Sequence, residues 1–182
     1  QVMAGPHPED PTCIQEEPPN FQANLETSAR GLKIAFSASP GGSPVEKGIR
    51  AGVERTAQIF ESLGASVEQL DIEVNPDIAR ETYKAITFSD MSASYGHFLG
   101  TPQAEALMPS MRQRLEEARE WPSAYLAKAL RELEWHRGRF RDLFREFDLL
   151  LLPTTAVTAF PIEEWPTAID GQEVSPLWAF TP

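Results

Sequence analysis

The chain has 182 residues, 41% hydrophobic and 24% charged, with 16 basic against 27 acidic side chains and a formal net charge of -11. That composition suits an ordinary globular chain able to bury one core, and its surplus of negative charge repels a phosphate backbone, which argues against nucleic acid as a partner. No apolar run approaches the roughly 20 residues of a membrane helix, and one cysteine, Cys13, excludes an internal disulfide and fits a reducing, cytoplasmic setting.

Residues 1–30 read as an extended, proline-rich connector. Pro6, Pro8, Pro11, Pro18 and Pro19 interrupt any regular element there, and Asp10-Pro11-Thr12 suits a local turn. His7 has no second histidine or cysteine at ligand spacing, so it is read as a solvent-exposed side chain rather than a metal ligand.

Residues 31–72 read as a βαβ unit. Leu32 to Phe36 is a short apolar strand. Ser43 as cap, Pro44 at the first helical position and Glu46 as the capping-box acid predict a helix from Pro44. Its apolar stripe is Val45, Ile49, Val53, Ala57, Phe60 and Leu63, and Gly64 is placed to end it. Ser66 to Ile72 is the second strand, expected to run parallel to the first through a right-handed crossover. The Ser39-Pro40-Gly41-Gly42-Ser43 loop matches neither GxGxxG nor GxxxxGK[ST] and has no lysine in place. It reads as a capping turn rather than a phosphate cradle, and Ser43 as a cap rather than a nucleophile.

Residues 75–147 read as helical. Asn75-Pro76 opens one helix that runs to about His97, and a short helix follows from about Ser110 to Arg119. His97, beside Tyr95 and Phe98, is read as a packed or rim histidine rather than a base. Ser123 is expected to cap the longest helix, which reaches about Phe147. Leu126, Leu133, Phe140 and Phe147 recur every seven residues, and Ala129, Leu130, Leu143 and Phe144 widen the stripe. Arginines and acids alternate on the other face, as on a solvated surface. Trp135-His136 is read as a core or rim pair rather than a ligand corner.

Residues 148–182 carry the organising element and a return to the same core. Leu149 to Leu152 has no polar face, so it reads as a strand covered on both sides. Pro153 ends it, and the long helix before it is expected to pack on it.

Several segments together resemble the amidase signature enzymes. They are Val2-Met3-Ala4-Gly5-Pro6 with Asp10-Pro11-Thr12, Gly31-Leu32-Lys33-Ile34-Ala35, the helix end Phe60 to Ala65, and Phe147 to Thr155. Asp170-Gly171, Trp178 and Phe180-Thr181 also look like that family's approach to its last core segment. The resemblance covers essentially the whole chain. It implies an α/β class: one partial domain, 1–182, of an α/β/α fold around a mixed sheet, truncated at both ends.

The activity implied is hydrolysis of a carboxylic amide to acid plus ammonia or amine. Such enzymes use a serine nucleophile, a second serine on a cis peptide and a lysine base. A desolvated, neutral lysine can take the serine's proton through the bridging serine, and backbone N–H groups hold the oxyanion. Those elements precede the segment that Val2 to Pro6 resembles, so they are expected upstream of Gln1. Lys33, Lys47, Lys84 and Lys128 do not stand in the matching context. No catalytic residue, metal or cofactor is therefore assigned, and the isolated chain is expected to be inactive. Thr154, Thr155 and Trp178 are the expected substrate-pocket lining, with β-strand packing as the other reading of the threonines. The expected partners are a small-molecule amide, the rest of the same enzyme and, from the family's habit, a second copy in a homodimer. Two other readings stay open: the amidase subunit of a tRNA-dependent amidotransferase, and a noncatalytic α/β interaction module docking through helix 123–147.

Overall fold

The computed structural model describes residues 4–23, 25–72, 75–162 and 164–174. Among these, β1 (Lys33–Phe36), β2 (Ser66–Gln69) and β3 (Leu149–Leu151) form a parallel sheet in the order β2-β1-β3. Ile34 stands opposite Val67 on one side and Leu149 on the other. The expected parallel pairing of the first two strands is present, although β2 stops short of Ile72. The ladder is lengthened by a side chain: Lys33 N–H donates to the Asp148 carboxylate at 2.9 Å, while Asp148 N–H donates to Lys33 C=O at 2.8 Å.

The central strand is β1, not the leucine run. Ile34 and Ala35 are almost completely buried, because β1 alone has a strand on each side. By contrast β3 is an edge among the described residues, with Leu149 44% exposed and Leu150 and Leu151 half-buried. A run without polar residues marks a strand that wants cover on both faces. It does not say that the described residues provide it.

α1 (Lys47–Ser62) connects β1 to β2 and lies against β2, burying Val53 and Ala57, with Ile49 and Phe60 half-buried. Leu63, at the end of the predicted stripe, is exposed. Gly64 ends the helix at φ 90, a left-handed conformation open to glycine at little cost, and its carbonyl accepts from Gly31 N–H at 2.9 Å.

α2 (Pro76–Tyr95), α3 (Pro109–Arg119) and α4 (Ser123–Glu146) form a helical layer between β2 and β3 in sequence. Asn75 caps α2 as its sequence suggests, its Oδ1 accepting from Asp77 and Ile78 N–H at 3.0 and 3.2 Å. Ser123 does not cap α4 but is its first helical residue. α2 packs against both α3 and α4. The expectation that α4 lies on β3 is corrected here, since its main partner is α2. At 1.5 Å per residue α4 is about 36 Å long and α2 about 30 Å, so the two helices can pair along much of their lengths, as a three-residue strand of about 10 Å cannot. Nor is the wide stripe of α4 fully used. Ala129 is buried, but Leu130, Trp135 and Phe144 are about half exposed.

Beyond β3 the chain closes with a hairpin, β4 (Ala168–Ile169) and β5 (Gln172–Glu173), turning through Asp170-Gly171. Both turn residues have positive φ, 48 and 83, as a two-residue hairpin of Asp-Gly type requires. Ile169 then joins Val45, Ala156 and Val157 in a small core, with Ile49, Phe160 and Val174 packed against it. This core ties the return segment to the start of α1.

Candidate functional site

The chain leaves β1 toward β2 on one side and later arrives at β3 on the other. The segments that follow these two strands, residues 37–46 and 152–158, meet at the carboxyl ends of β1 and β3 and pack against each other through Val45, Ala156 and Val157. Ser37 and Ala38 are buried directly after β1, and Ser37 N–H donates to Leu151 C=O at 3.1 Å. Pro153 is buried and ends the strand, as its missing N–H dictates. Thr154 and Thr155 follow it onto the surface, and Ala156 and Val157 turn back into the small core.

The two threonines are therefore not equivalent. Thr155 donates its hydroxyl to Val157 C=O at 3.0 Å, closing a local turn. Thr154 is exposed and makes no hydrogen bond among the described residues. Trp178, the third expected lining residue, lies outside the described residues.

The loop before α1 departs from the sequence expectation. The helix begins at Lys47, and Ser43 is not its cap. Glu46 stands at the cap position, yet its side chain makes no cap bond. Its Oε2 instead accepts from Thr158 N–H at 3.0 Å, its Oε1 from the Thr158 hydroxyl at 3.5 Å, and its own N–H donates to Ala156 C=O at 2.8 Å. The helix end is satisfied from elsewhere. Asp170 Oδ2 accepts from Lys47 N–H at 2.9 Å and from Arg50 Nη2 at 3.3 Å. The capping box failed because a local pattern cannot see an acceptor 123 positions away. The Asp-Gly turn between short apolar stretches was the available signal for that hairpin.

A second concavity of about 410 Å³ lies on the β2 side of the 37–46 loop, lined by Gly41, Gly42, Asp71, Asn75, Trp135 and His136 among others. His136 Nε2 is buried there without a hydrogen-bond partner among the described residues. The Arg139 guanidinium lies 4.8 Å from the centre of the Trp135 ring. A smaller apolar cleft of about 210 Å³ separates α2 from α4. Tyr125 lines it and donates to Glu81 Oε2 at 2.7 Å. Burial first, and this hydrogen bond second, push the Tyr125 phenol up to about 12.

The other residues weighed from sequence are accounted for by packing. His97 is an exposed rim residue with its ring 4.0 Å from that of Phe98. Lys84 pairs with Glu117 at 2.6 Å and lies over the rings of Phe88 and Trp121, which commits its ammonium to the α2–α3 junction. His7 is exposed. Among the described residues no group of three or more His, Cys, Asp or Glu side chains is arranged to hold a metal ion. No described helix is long and apolar enough to cross a membrane.

Comparison with known proteins agrees with this architecture. The aryl acylamidase structure described as belonging to the amidase signature enzymes superposes with a TM-score of 0.76 at 23% identity, covering 96% of this chain and 38% of that one. The substrate complex of 6-aminohexanoate cyclic dimer hydrolase gives 0.70 at 18% identity, with the same coverages. At such identities the likeness establishes the fold. In sequence, the A subunit of glutamyl-tRNA(Gln) amidotransferase from Syntrophomonas wolfei is 26% identical over 187 aligned positions, covering 90% of this chain. Its counterpart from Geobacillus sp. WCH70 is 28% identical with the same coverage. The chain spans 38% of the length of each of these relatives. The amidase family model matches residues 1–182, and the chain belongs to the amidase family.

Proposed function

We propose that this chain is the C-terminal-side portion of an amidase signature hydrolase that cleaves carboxylic amides to acid plus ammonia or amine. The observation that carries the reading is the family match across all of residues 1–182, in a chain that spans 38% of its relatives' length. The serine nucleophile, the cis-peptide serine and the lysine base belong, in this reading, to sequence preceding Gln1. The 182 residues act as one partial domain. Their part is to supply sheet and helical layer and to wall the substrate pocket where the carboxyl ends of β1 and β3 meet. The hydroxyl of the exposed Thr154 is a substrate hydrogen-bonding group, Thr155 shapes the turn behind it, and Trp178 completes the wall. A small-molecule amide is the substrate, the compartment is the cytoplasm, and a homodimer is the assembly.

The test is expression of the complete reading frame that contains this chain, with ammonia release measured over a panel of aliphatic and aryl amides. Release that is abolished by Ser→Ala exchange in an upstream glycine-serine-rich segment supports the reading. A frame with no such segment, or one that releases nothing from any amide, removes it.

The relatives that are amidotransferase A subunits favour a second reading, in which the complete protein delivers ammonia within a tRNA-dependent complex. Copurification of partner subunits and glutamine-dependent transfer would support that version. Hydrolysis of simple amides by the isolated protein, with no partners retained, would support the first.

A further inference from the structure

We propose that Glu46 is a positioning residue for the pocket wall at the carboxyl end of β3, a role that rests on reading that wall as part of an amide-substrate site. Among the described residues, the chain after Leu151 has no strand partner to locate it. Among the described residues, the hydrogen bonds that tie residues 154–158 to another element all run to Glu46: its N–H to Ala156 C=O, and its carboxylate to the Thr158 N–H and hydroxyl. The neighbouring Val45, 2% exposed, packs with Ala156 and Val157 and supplies the apolar half of the same clasp.

The choice of partner is informative. An acid at the first turn of a helix ordinarily serves that helix, where free N–H groups and the dipole favour it. Glu46 is turned away from this use and toward a segment 112 positions later, and Asp170 caps the helix in its place. Two carboxylates are thus exchanged between α1 and the return segment. Asp170 fixes the helix end, and Glu46 fixes the loop that presents Thr154. Pro153 on one side and the Glu46 bonds on the other bracket the exposed pair Thr154-Thr155, so losing the carboxylate frees one end of the wall without touching the sheet.

The experiment uses the complete reading frame with Glu46→Ala and Glu46→Gln. Glutamine retains one side-chain oxygen for the Thr158 N–H and serves as the folding control. Losing a hydrogen bond to a charged group should speed exchange of the Thr158 amide about tenfold or more in Glu46→Ala, with Gln close to the natural chain. For the amide that the natural enzyme hydrolyses best, Glu46→Ala should raise KM about tenfold while kcat changes less than about twofold, and Gln should restore most of the KM. A merely structural role would lower the active fraction and leave KM alone. Unchanged Thr158 exchange overturns the proposal, as does accelerated exchange with unchanged KM. If the natural enzyme hydrolyses no amide, the activity reading falls and the positioning role with it. Accelerated exchange would still identify the clasp, so the two failures are separable.

Discussion

Replacing Asp170 should loosen the first turn of α1 by an amount set by three separable contributions. Its carboxylate accepts from Lys47 N–H at 2.9 Å, a capping contact worth about 1 kcal/mol. Its pairing with Arg50 joins side chains 42% and 44% exposed, so solvent screening holds it to about 0.5 kcal/mol. Its φ of 48 is left-handed, which aspartate, asparagine and glycine tolerate but which costs alanine about 1–2 kcal/mol. Asp170→Asn keeps the acceptor and the conformation and should lose about 0.5 kcal/mol, a twofold to threefold effect. Asp170→Gly keeps only the conformation and should lose about 1.5 kcal/mol, roughly tenfold. Asp170→Ala loses everything, about 3 kcal/mol, roughly a hundredfold. Amide hydrogen exchange at Ile49 and Arg50, whose N–H groups both bond Glu46 C=O at 3.0 Å, reads these openings directly. If Asn proves as damaging as Ala, or Gly more damaging than Ala, the division between cap, charge and backbone conformation is wrong.

Ile34→Ala removes a side chain that is 1% exposed at the centre of the sheet. It should cost about 2–5 kcal/mol, measured as a fall in the urea midpoint, and a loss under about 1 kcal/mol would contradict the central place of β1. Ala85 is fully buried on α2. Ala85→Leu should cost about 1–3 kcal/mol by overpacking, with a lowered thermal midpoint, and a neutral result would mean that α2 is free to shift against its neighbours. The Tyr125 phenol, pushed from its ordinary 10.0 to about 12 by burial and by Glu81, should ionise late in an ultraviolet titration and earlier in Glu81→Gln. Because the folded pKa is raised, the stability contribution is complete below pH 10.0 and is lost as pH rises through about 12. Superimposable titrations of the two proteins would remove Glu81 as a cause.

Much of the secondary structure was legible locally. Asn75-Pro76, Gly64 and the three-four spacing of Val53, Ala57 and Phe60 each act within a few residues, so a reading of neighbours finds them. The end of the leucine strand before Pro153 was legible in the same way, because proline cannot donate to the ladder. What the pattern did not separate was the two hydroxyls. That Thr155 bonds Val157 while Thr154 makes no hydrogen bond among the described residues depends on the turn the chain makes after Pro153.

The misreadings share one cause. Ser43-Pro44-x-Glu46 is a fair capping box, and Leu149 to Leu152 a fair buried strand, when only the local chain is considered. In the folded chain Glu46 finds Thr158, Lys47 finds Asp170, and among the described residues β3 finds a neighbour on one side only. The long stripe of α4 carried no information about whether a strand or another helix would cover it, and in the folded chain its main partner is α2.

The amino-acid sequence by itself determined the order and type of the elements, the parallel βαβ start and the amidase resemblance, because periodicity, caps and breakers are properties of adjacent residues. Only the tertiary structure decided which strand is central and which carboxylate serves which helix end. Those choices are made by partners more than a hundred positions apart, and a polar group takes whichever partner the packed chain brings within hydrogen-bond distance.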